Sequence, residues 1–190
     1  MRQPRRRTVL AGALGIVVML LVSACDVLPP APPGGETASC DDIGWGSGAK
    51  TAARMSTAPI TGVRAGRHHC YDRLVIDLGA TPAAGWYVAY GTVSEPGSGQ
   101  VVPVRGTDMG VVVRAPAHDA DYNPTYAPAN PSEAVDVTGF STFRQVAFLE
   151  SFEGQTTFAL GVRARLPFRV FATEHTGRAQ LVVDVAHRWP

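Results

Sequence analysis

Apolar and polar residues alternate along much of the chain from residue 59 onward. In residues 71–78, Leu74, Ile76 and Leu78 share one face of a strand, because successive side chains on a strand point to opposite sides. Glycine and proline separate the apolar runs, and no stretch shows a convincing helical period. The pattern predicts an all-β fold, a sandwich or barrel of short strands. Further strands are predicted at residues 85–90, 110–114, 143–150, 155–164, 168–173 and 179–186.

Two segments interrupt this pattern. Residues 41–50 are rich in glycine and are predicted to form a lead-in loop, in which Trp45 covers one end of the core. Residues 118–133 are polar and contain three prolines. A connection of this length inside a domain is typical of a functional or a mobile loop.

The chain begins with a positively charged segment that is followed by an uncharged apolar run. Four arginines precede residues 8–24, which end in Val22-Ser23-Ala24 and are followed by Cys25. This arrangement is typical of a secretory signal, and its last four residues resemble a bacterial lipobox. We therefore predict a lipoprotein signal peptide at residues 1–24 and lipidation of Cys25. The alternatives are a plain transmembrane anchor and a non-lipidated secreted form.

Residues 25–40 contain a proline-rich stretch and are predicted to form an extended tether between the lipid and a domain of residues 41–190. Two acyl chains on Cys25 would hold the protein stably at a membrane, whereas one chain binds only marginally. The expected location is the cell membrane, with the protein lipid-anchored on the extracytoplasmic face. Consecutive arginines at residues 5–7 leave both the twin-arginine and the general export route open.

The mature part of the chain is mildly acidic. The whole chain has 17 Lys and Arg against 16 Asp and Glu, but four of the arginines lie in the signal peptide. The mature chain therefore has 13 basic and 16 acidic residues, a net charge of −3. This balance, without a basic stretch, argues against binding to nucleic acid or to anionic lipid. A single lysine among many arginines, with abundant Ala, Gly and Val, suggests a GC-rich actinobacterial source.

The cysteines limit the covalent and metal chemistry of the chain. Once Cys25 is lipidated, Cys40 and Cys70 remain, and two cysteines in an oxidising compartment are predicted to form a disulfide. The alternative is a metal site that uses His68, His69 and Cys70. We disfavour it because adjacent side chains on a strand point to opposite faces. No metal and no cofactor is predicted.

Enzyme motifs are absent from the sequence. It has no Gly-x-Ser-x-Gly elbow, no phosphate-binding glycine loop and no His-Glu-x-x-His motif. Asp119, Asp121 and Asn123 resemble the first half of a calcium loop, but Pro124 stands where the turn requires glycine and no glutamate closes the loop. A solvated acidic loop is the preferred interpretation. No catalytic residue is assigned.

Two strand segments resemble each other. Residues 73–77 read Arg-Leu-Val-Ile-Asp and residues 180–184 read Gln-Leu-Val-Val-Asp. Arg73 and Asp77 lie on one face but about 13 Å apart along the strand, so each needs a partner on a neighbouring strand. The preferred interpretation is a structural pair of buried strands.

Spaced motifs give the chain a family resemblance. The segments RHHCYDRLVIDLG, GWYVAYG, GSGQVVPVRG, FEGQTTFALGVRARLPFRVF and AQLVVDVAH resemble, in this order, the AMIN-like domain of actinobacterial lipoproteins. The resemblance covers residues 59–187. That group is related to the AMIN domains of cell-wall amidases and secretins, which are non-catalytic β-sandwich modules that bind peptidoglycan or target proteins to it. The resemblance therefore implies an extracytoplasmic, non-catalytic β-sandwich, and it brings no established binding residues with it.

These expectations combine into a lipid-anchored module that binds peptidoglycan or an envelope protein. Glycan binding needs flat aromatic faces and planar hydrogen-bonding groups, for which the candidates are Trp86, Tyr90, Arg163 and Arg165. Tyr87 lies on the opposite face of its strand from Trp86 and Tyr90.

Two other functions stay open at this point. One is an envelope hydrolase with an unfamiliar site built from His118, Asp119 and Asp121. The other is a structural role in an envelope assembly.

Overall fold

The computed structural model describes Cys40 and residues 43–190, in which nine strands form two sheets. The predicted signal peptide, Cys25 and the tether before Cys40 lie outside the described residues. Among the described residues, no helix has the length and apolar character needed to cross a membrane. The strands are β1 (Lys50–Ala52), β2 (Ile60–Arg67), β3 (Tyr71–Leu78), β4 (Trp86–Tyr90), β5 (Thr107–Val113), β6 (Phe143–Phe152), β7 (Gln155–Val162), β8 (Phe168–His175) and β9 (Arg178–Ala186).

The two sheets are both antiparallel. The first sheet has five strands in the order β1-β4-β5-β7-β6, and the second has four in the order β2-β3-β9-β8. This arrangement confirms the predicted all-β sandwich. Ala38–Pro190 forms one compact unit, which contains every described strand and the disulfide.

The inward faces of the two sheets supply a common core. On β3, Leu74, Ile76 and Leu78 are almost completely buried, as the alternation in the sequence predicts. Burial of a large apolar side chain stabilises the fold by about 1.5–3 kcal/mol, so the core is the main source of stability. Its largest fully buried side chains include Phe143, Phe158, Phe168, Ile60, Met109 and Leu160.

The sequence pattern does not predict the bounds of the first two strands, β1 and β2. β1 has only three residues, which is too short for a visible period. β2 contains Gly62 and Gly66, and its register against β3 shifts between Ile60 and Gly62. Glycines and a bulge both interrupt the alternation from which a strand is predicted.

The lead-in segment packs on the outward face of the second sheet. The Trp45 ring centroid lies 5.5 Å from that of Tyr71, and the Phe168 N–H donates a hydrogen bond of 2.9 Å to the Gly46 carbonyl. The prediction that Trp45 covers one end of the core is therefore wrong. The backbone of this segment is held along edge strand β8, which directs the ring over the outward face instead.

The long polar loop of residues 118–133 is fastened to the core near its middle. The Thr125 hydroxyl donates a hydrogen bond of 2.7 Å to the Ile60 carbonyl. The Tyr126 ring packs against Phe148 and Phe158, with centroids 5.6 and 6.1 Å away. The middle of this loop is therefore part of the packed domain.

Candidate functional site

The outward face of the second sheet carries side chains in rows that run across the strands. Directly paired residues on antiparallel strands point to the same face, so the register defines each row. The first row is Gly66, Arg73, Asp184 and Arg169; the second is Arg64, Val75, Val182 and Phe171; the third is Gly62, Asp77, Gln180 and Thr173.

Asp184 is the centre of the first row. Its side chain is 0% exposed although it points outward, because two arginines cover it. Arg73 donates from Nε to Oδ1 over 2.6 Å and from Nη2 to Oδ2 over 2.8 Å, and Arg169 donates from Nε to Oδ2 over 2.8 Å. The hydrogen bonds to Asp184 raise the pKa of Arg73 above its ordinary value. Because two guanidiniums share one carboxylate, the row keeps an excess of positive charge.

Aromatic rings hold both guanidiniums in place. Arg169 lies 4.4 Å from the Trp45 ring centroid and 5.1 Å from that of Phe171. Arg73 lies 5.3 Å from the Tyr71 centroid and 5.6 Å from that of Phe171. Each such contact is worth about 0.5–1 kcal/mol at an exposed site. The Arg73 and Arg169 side chains are 25% and 41% exposed, so this rigid cationic platform is open to solvent.

A shallow groove of about 320 Å³ lies beside the platform. Val75 and Val182 of the second row form its floor. Gly66 keeps one side open, because a Cβ there would meet only His68 Nε2, at 3.9 Å. We call this feature the outer-face groove; its lining includes Arg64, Gly66, His68, Arg73, Val75, Phe171, Thr173, Gln180 and Val182.

The third row is polar, and its one charged group, Asp77, is paired with Arg64 of the second row. Gln180 donates from Nε2 to Asp77 Oδ1 over 3.0 Å, and Arg64 pairs with the other oxygen of the same carboxylate. The Thr173 hydroxyl lies 3.5 Å from Gln180 Oε1. The floor of the groove is therefore bordered by guanidiniums on one side and by amide, hydroxyl and carboxylate groups on the other.

This arrangement suits a ligand that has apolar faces and many oxygen atoms. The valine floor and Phe171 can contact apolar surface, while the guanidiniums donate to hydroxyl, carbonyl or carboxylate oxygens. A hydrolytic site needs a nucleophile within reach of a base. In the described groove, the His68 ring stacks on Tyr71 with centroids 4.5 Å apart and the Thr173 hydroxyl contacts Gln180, and neither contact pairs a nucleophile with a base. The geometry favours binding over bond cleavage.

The two aromatic residues predicted from the sequence as ligand contacts lie on the other sheet. Trp86 and Tyr90 are half-buried on β4 and pack against the core, whereas Tyr87 is exposed. The Tyr90 hydroxyl donates to the Leu166 carbonyl over 3.0 Å and accepts from the Leu166 N–H over 2.9 Å. Burial raises the pKa of Tyr90. Most of both rings is therefore engaged in packing.

The two predicted arginines are exposed and bonded to nearby backbone. Arg163 donates to the His187 carbonyl over 2.5 Å, and Arg165 contacts the Ser47 hydroxyl over 3.2 Å. The Arg165 guanidinium lies 5.5 Å from the Tyr90 ring centroid. The fold thus brings Tyr90 and Arg165 together. A ligand-binding role for Trp86, Tyr90, Arg163 and Arg165 stays a prediction.

The first carboxylate of the acidic loop, Asp119, accepts hydrogen bonds from within the loop. Asp119 Oδ1 accepts hydrogen bonds of 2.9 Å from the N–H groups of Asp121 and Asn123, and Oδ2 accepts one of 3.1 Å from the Asn123 amide. His118 Nδ1 lies 2.8 Å from the Asp119 backbone carbonyl rather than from its carboxylate. The arrangement favours a self-capped loop over both the calcium loop and the hydrolase site.

The Cys40–Cys70 disulfide is present, as predicted, and joins residues 30 apart with Cα atoms 5.3 Å from each other. The geometric objection to a shared Cys–His site is wrong, because His69 and Cys70 lie in the turn between β2 and β3 and not on a strand. Ligand atoms of Cys40, His69 and Cys70 do lie within 4.8 Å of one another. The disulfide, however, occupies both sulfurs, and a metal ligand would have to be a thiolate.

The outer-face groove could not be found by a motif search. Its signal in the sequence is the similarity of residues 73–77 and 180–184, for which a structural pair of strands is the preferred interpretation. The two segments pair antiparallel, so that Arg73 faces Asp184 and Asp77 faces Gln180. This confirms that each needs a cross-strand partner. The sequence similarity alone, however, does not reveal that these residues border a groove.

A comparison with family models matches the model described as the AMIN-like domain to residues 58–187. The match spans strands β2 to β9 and the whole outer-face groove. The comparisons with curated proteins and with solved structures gave no match to the chain. Domains of this kind are generally non-catalytic binding modules associated with the cell envelope.

Proposed function

This chain belongs to the AMIN-like domain family, and from that premise we propose that it is a lipid-anchored module that binds peptidoglycan in the outer-face groove without cleaving it. The observation that carries the proposal is the first row, in which Arg73 and Arg169 surround Asp184 among aromatic rings. The row is rigid, partly exposed and cationic, and it borders an apolar floor.

The chemistry of the wall polymer fits this surface. Sugar rings have apolar faces that pack on aliphatic or aromatic groups, and their hydroxyls need planar donors and acceptors. The peptide stems carry carboxylates, for which a guanidinium offers a bidentate partner. Because the mature chain has a net charge of −3, attraction has to come from this local cluster and not from the whole molecule.

The lipid anchor completes the proposal. Cys25 follows an apolar run and a lipobox-like sequence, and residues 26–35 are rich in proline. Two acyl chains at Cys25 and an extended tether would keep the domain near the outer face of the membrane, within reach of the wall.

The test is co-sedimentation of the Ala38–Pro190 unit with purified peptidoglycan. Gly66 lines the groove, and a Cβ there would meet only His68 Nε2, at 3.9 Å, so we expect the larger side chain of Gly66→Leu to occupy groove volume and to weaken binding about tenfold. Gly48→Leu is the matched control, because nothing lies within 4 Å of a Cβ there and Gly48 does not line the groove. Equal binding of both variants would remove the groove from the proposal.

The same incubation decides between binding and hydrolysis. Soluble products are analysed by mass spectrometry with wild-type protein and with Asp119→Ala. Retained protein and no released muropeptides are the expected outcome. Release of muropeptides by the wild type alone would make the chain an envelope hydrolase. Absence of both binding and release would favour a protein partner or a structural role.

A further inference from the structure

A second and larger cleft lies among three loops. It is bordered by residues 55–57, by the start of the acidic loop and by the hairpin between β6 and β7, and its volume is about 760 Å³. It shares no lining residue with the outer-face groove. The volume is within the range of about 300–1,000 Å³ that is usual for ligand sites.

The surface of this cleft is apolar and exposed. Met55, Tyr122 and Phe152 are 51%, 80% and 41% exposed. They are half of the six large hydrophobic side chains that are exposed among the described residues, and they line one cleft. Single exposed apolar residues are ordinary, but clustering of this kind is typical of an interaction surface.

The exposed Tyr122 ring is held in a fixed position. Tyr122 adopts a left-handed backbone conformation with φ 62°, which is uncommon for a bulky residue. Its ring stacks on His118 with centroids 4.8 Å apart, and its N–H donates to the Asp119 carbonyl over 3.1 Å. The loop is tied to β6 by a hydrogen bond of 2.9 Å from the Ala117 N–H to the Ser151 hydroxyl. A ligand would therefore meet a preorganised surface.

The carboxylates that line the cleft make its described lining acidic, although the exposed Arg54 precedes Met55 in the chain. Asp119 and Glu153 belong to its lining, and Asp121 lies in the same loop. The described lining contains neither lysine nor arginine. An apolar floor with an acidic rim is complementary to an apolar group that is flanked by positive charges, and the face of an exposed tyrosine also attracts a cation.

We propose that this cleft docks a basic, hydrophobic peptide segment of a partner protein. One bulky apolar side chain of the segment is seated between Met55, Tyr122 and Phe152, and flanking Lys or Arg side chains reach Asp121 and Glu153. A glycan fits this surface less well, because sugar hydroxyls need planar polar partners and the Asp119 oxygens already accept hydrogen bonds within the loop. The module would then hold peptidoglycan on one surface and a protein on another.

The test is an NMR titration of the ¹⁵N-labelled Ala38–Pro190 unit with two synthetic peptides. The probe is Gly-Lys-Leu-Trp-Lys-Gly, and its charge-reversed partner is Gly-Glu-Leu-Trp-Glu-Gly. We expect the basic peptide to shift the amide signals of residues 116–123 and 151–154. Binding should weaken when salt rises from about 0.05 to about 0.5 M, because exposed charges are screened. The acidic peptide should bind at least about fivefold more weakly.

Variants test whether the peptide binds in this cleft and whether that binding is independent of the outer-face groove. Phe152→Ala should weaken binding of the basic peptide about fivefold to tenfold. Asp121→Asn combined with Glu153→Gln should reduce the salt dependence, and Asp119 accounts for what remains. Tyr87→Ala is the matched control, since Tyr87 is an exposed ring outside the cleft. Gly66→Leu should leave peptide binding unchanged, so failure here is distinct from failure of peptidoglycan binding. The substituted side chains in and beside the cleft and at Tyr87 are exposed, and Gly66 is half-buried. Amide signals that change only near each substitution verify the fold of every variant.

Three results would overturn the proposal. The first is equal affinity for the two peptides, and the second is a set of shifts that lies outside the cleft. The third is a chitin tetrasaccharide that shifts the same amides while the basic peptide does not, which would make the cleft a glycan site.

Discussion

Asp184 is a fully buried carboxylate on the second sheet. A carboxylate that is removed from water needs opposite charge and hydrogen bonds, and Arg73 and Arg169 supply both. The dependence is mutual, because without the carboxylate the two guanidiniums would face each other across β9. This single side chain therefore sets the geometry of the cationic platform.

Asp184→Asn tests this dependence by removing the charge at constant size. We expect the free energy of unfolding to fall by about 3 kcal/mol, the low end for a broken buried ion pair, because both arginines are partly exposed. Urea unfolding followed by tryptophan fluorescence measures the loss. Asp77→Asn is the matched control: Asp77 is 30% exposed and its pair with Arg64 should contribute less than about 1 kcal/mol. Similar losses in both variants would contradict the argument.

The hydrogen bonds to the Asp119 carboxylate predict that the stability of the acidic loop depends on pH. Hydrogen bonds from the Asn123 side chain and backbone lower the pKa of Asp119 below its ordinary value. A carboxyl with a depressed folded pKa stabilises the folded loop above its unfolded pKa of about 3.9, and this contribution is lost as the pH falls through the folded value.

The measurement is an NMR pH titration of the Asp121 and Asn123 amides. We expect their signals to be constant at neutral pH and to move only below about pH 3.9. Asp119→Ala should shift both signals already at neutral pH, because it removes their acceptor. Signals that titrate near the ordinary aspartate value in the wild type would show that the hydrogen bonds do not favour the carboxylate.

At the scale of elements, the turn between β2 and β3 connects the disulfide to the groove. Cys70 is bonded to Cys40, and His68 of the same turn stacks on Tyr71 and lines the groove. The disulfide therefore limits the freedom of a segment that borders the candidate site.

Removal of the disulfide should cost stability. For the separation of 30 residues, the loop-entropy model gives about 3–4 kcal/mol. The Cys40→Ser, Cys70→Ser double variant of Ala38–Pro190 should lose this amount in urea unfolding, and a reductant should lower wild-type stability similarly. The reductant should not change the double variant, which serves as its own control. A double variant as stable as the wild type would mean that the bridge contributes nothing.

The two similar segments of strands β3 and β9 pair with each other in opposite directions. Residues 73–77 and 180–184 run antiparallel, so the first residue of one faces the last residue of the other. A polar residue at each end with an apolar run between then produces two polar rows and one apolar row. The groove is a direct result of this repeated pattern.

At the scale of the whole molecule, the two proposed binding surfaces are separate from each other and from the proposed lipid anchor. The outer-face groove lies on the four-stranded sheet, whereas the larger cleft is formed by loops and the β6–β7 hairpin. A membrane anchor at residue 25 would keep both surfaces near the envelope layer.

Cys25→Ala tests the anchor. If Cys25 carries two acyl chains, the variant should leave the membrane fraction and lose the lipid mass, because no second lipid signal has been assigned. Cell fractionation and intact-mass spectrometry measure both effects. Cys40→Ser is the matched cysteine control and should stay in the membrane fraction. A Cys25→Ala protein that is still processed and membrane-bound would exclude the lipoprotein reading.

The sequence by itself determined the features that depend on local pattern. Strand periodicity and turn residues predicted the all-β fold, and β3 is found at Tyr71–Leu78 as expected. The number of cysteines predicted the Cys40–Cys70 bridge. The family resemblance over residues 59–187 agrees with the family match over residues 58–187. Local order is enough for these statements.

Only the tertiary structure decided which face of each strand could be a site. Period two groups Trp86 with Tyr90 and Arg73 with Asp77, but it does not say whether a face meets the other sheet or water. Aromatic residues occur on both faces of β4, so the pattern was ambiguous there. Arg73 and Asp184 are 111 residues apart in the chain and meet only through the register of β3 against β9. The apolar pattern of each strand restricts its register, but which two strands pair is decided only when their buried faces pack into one core.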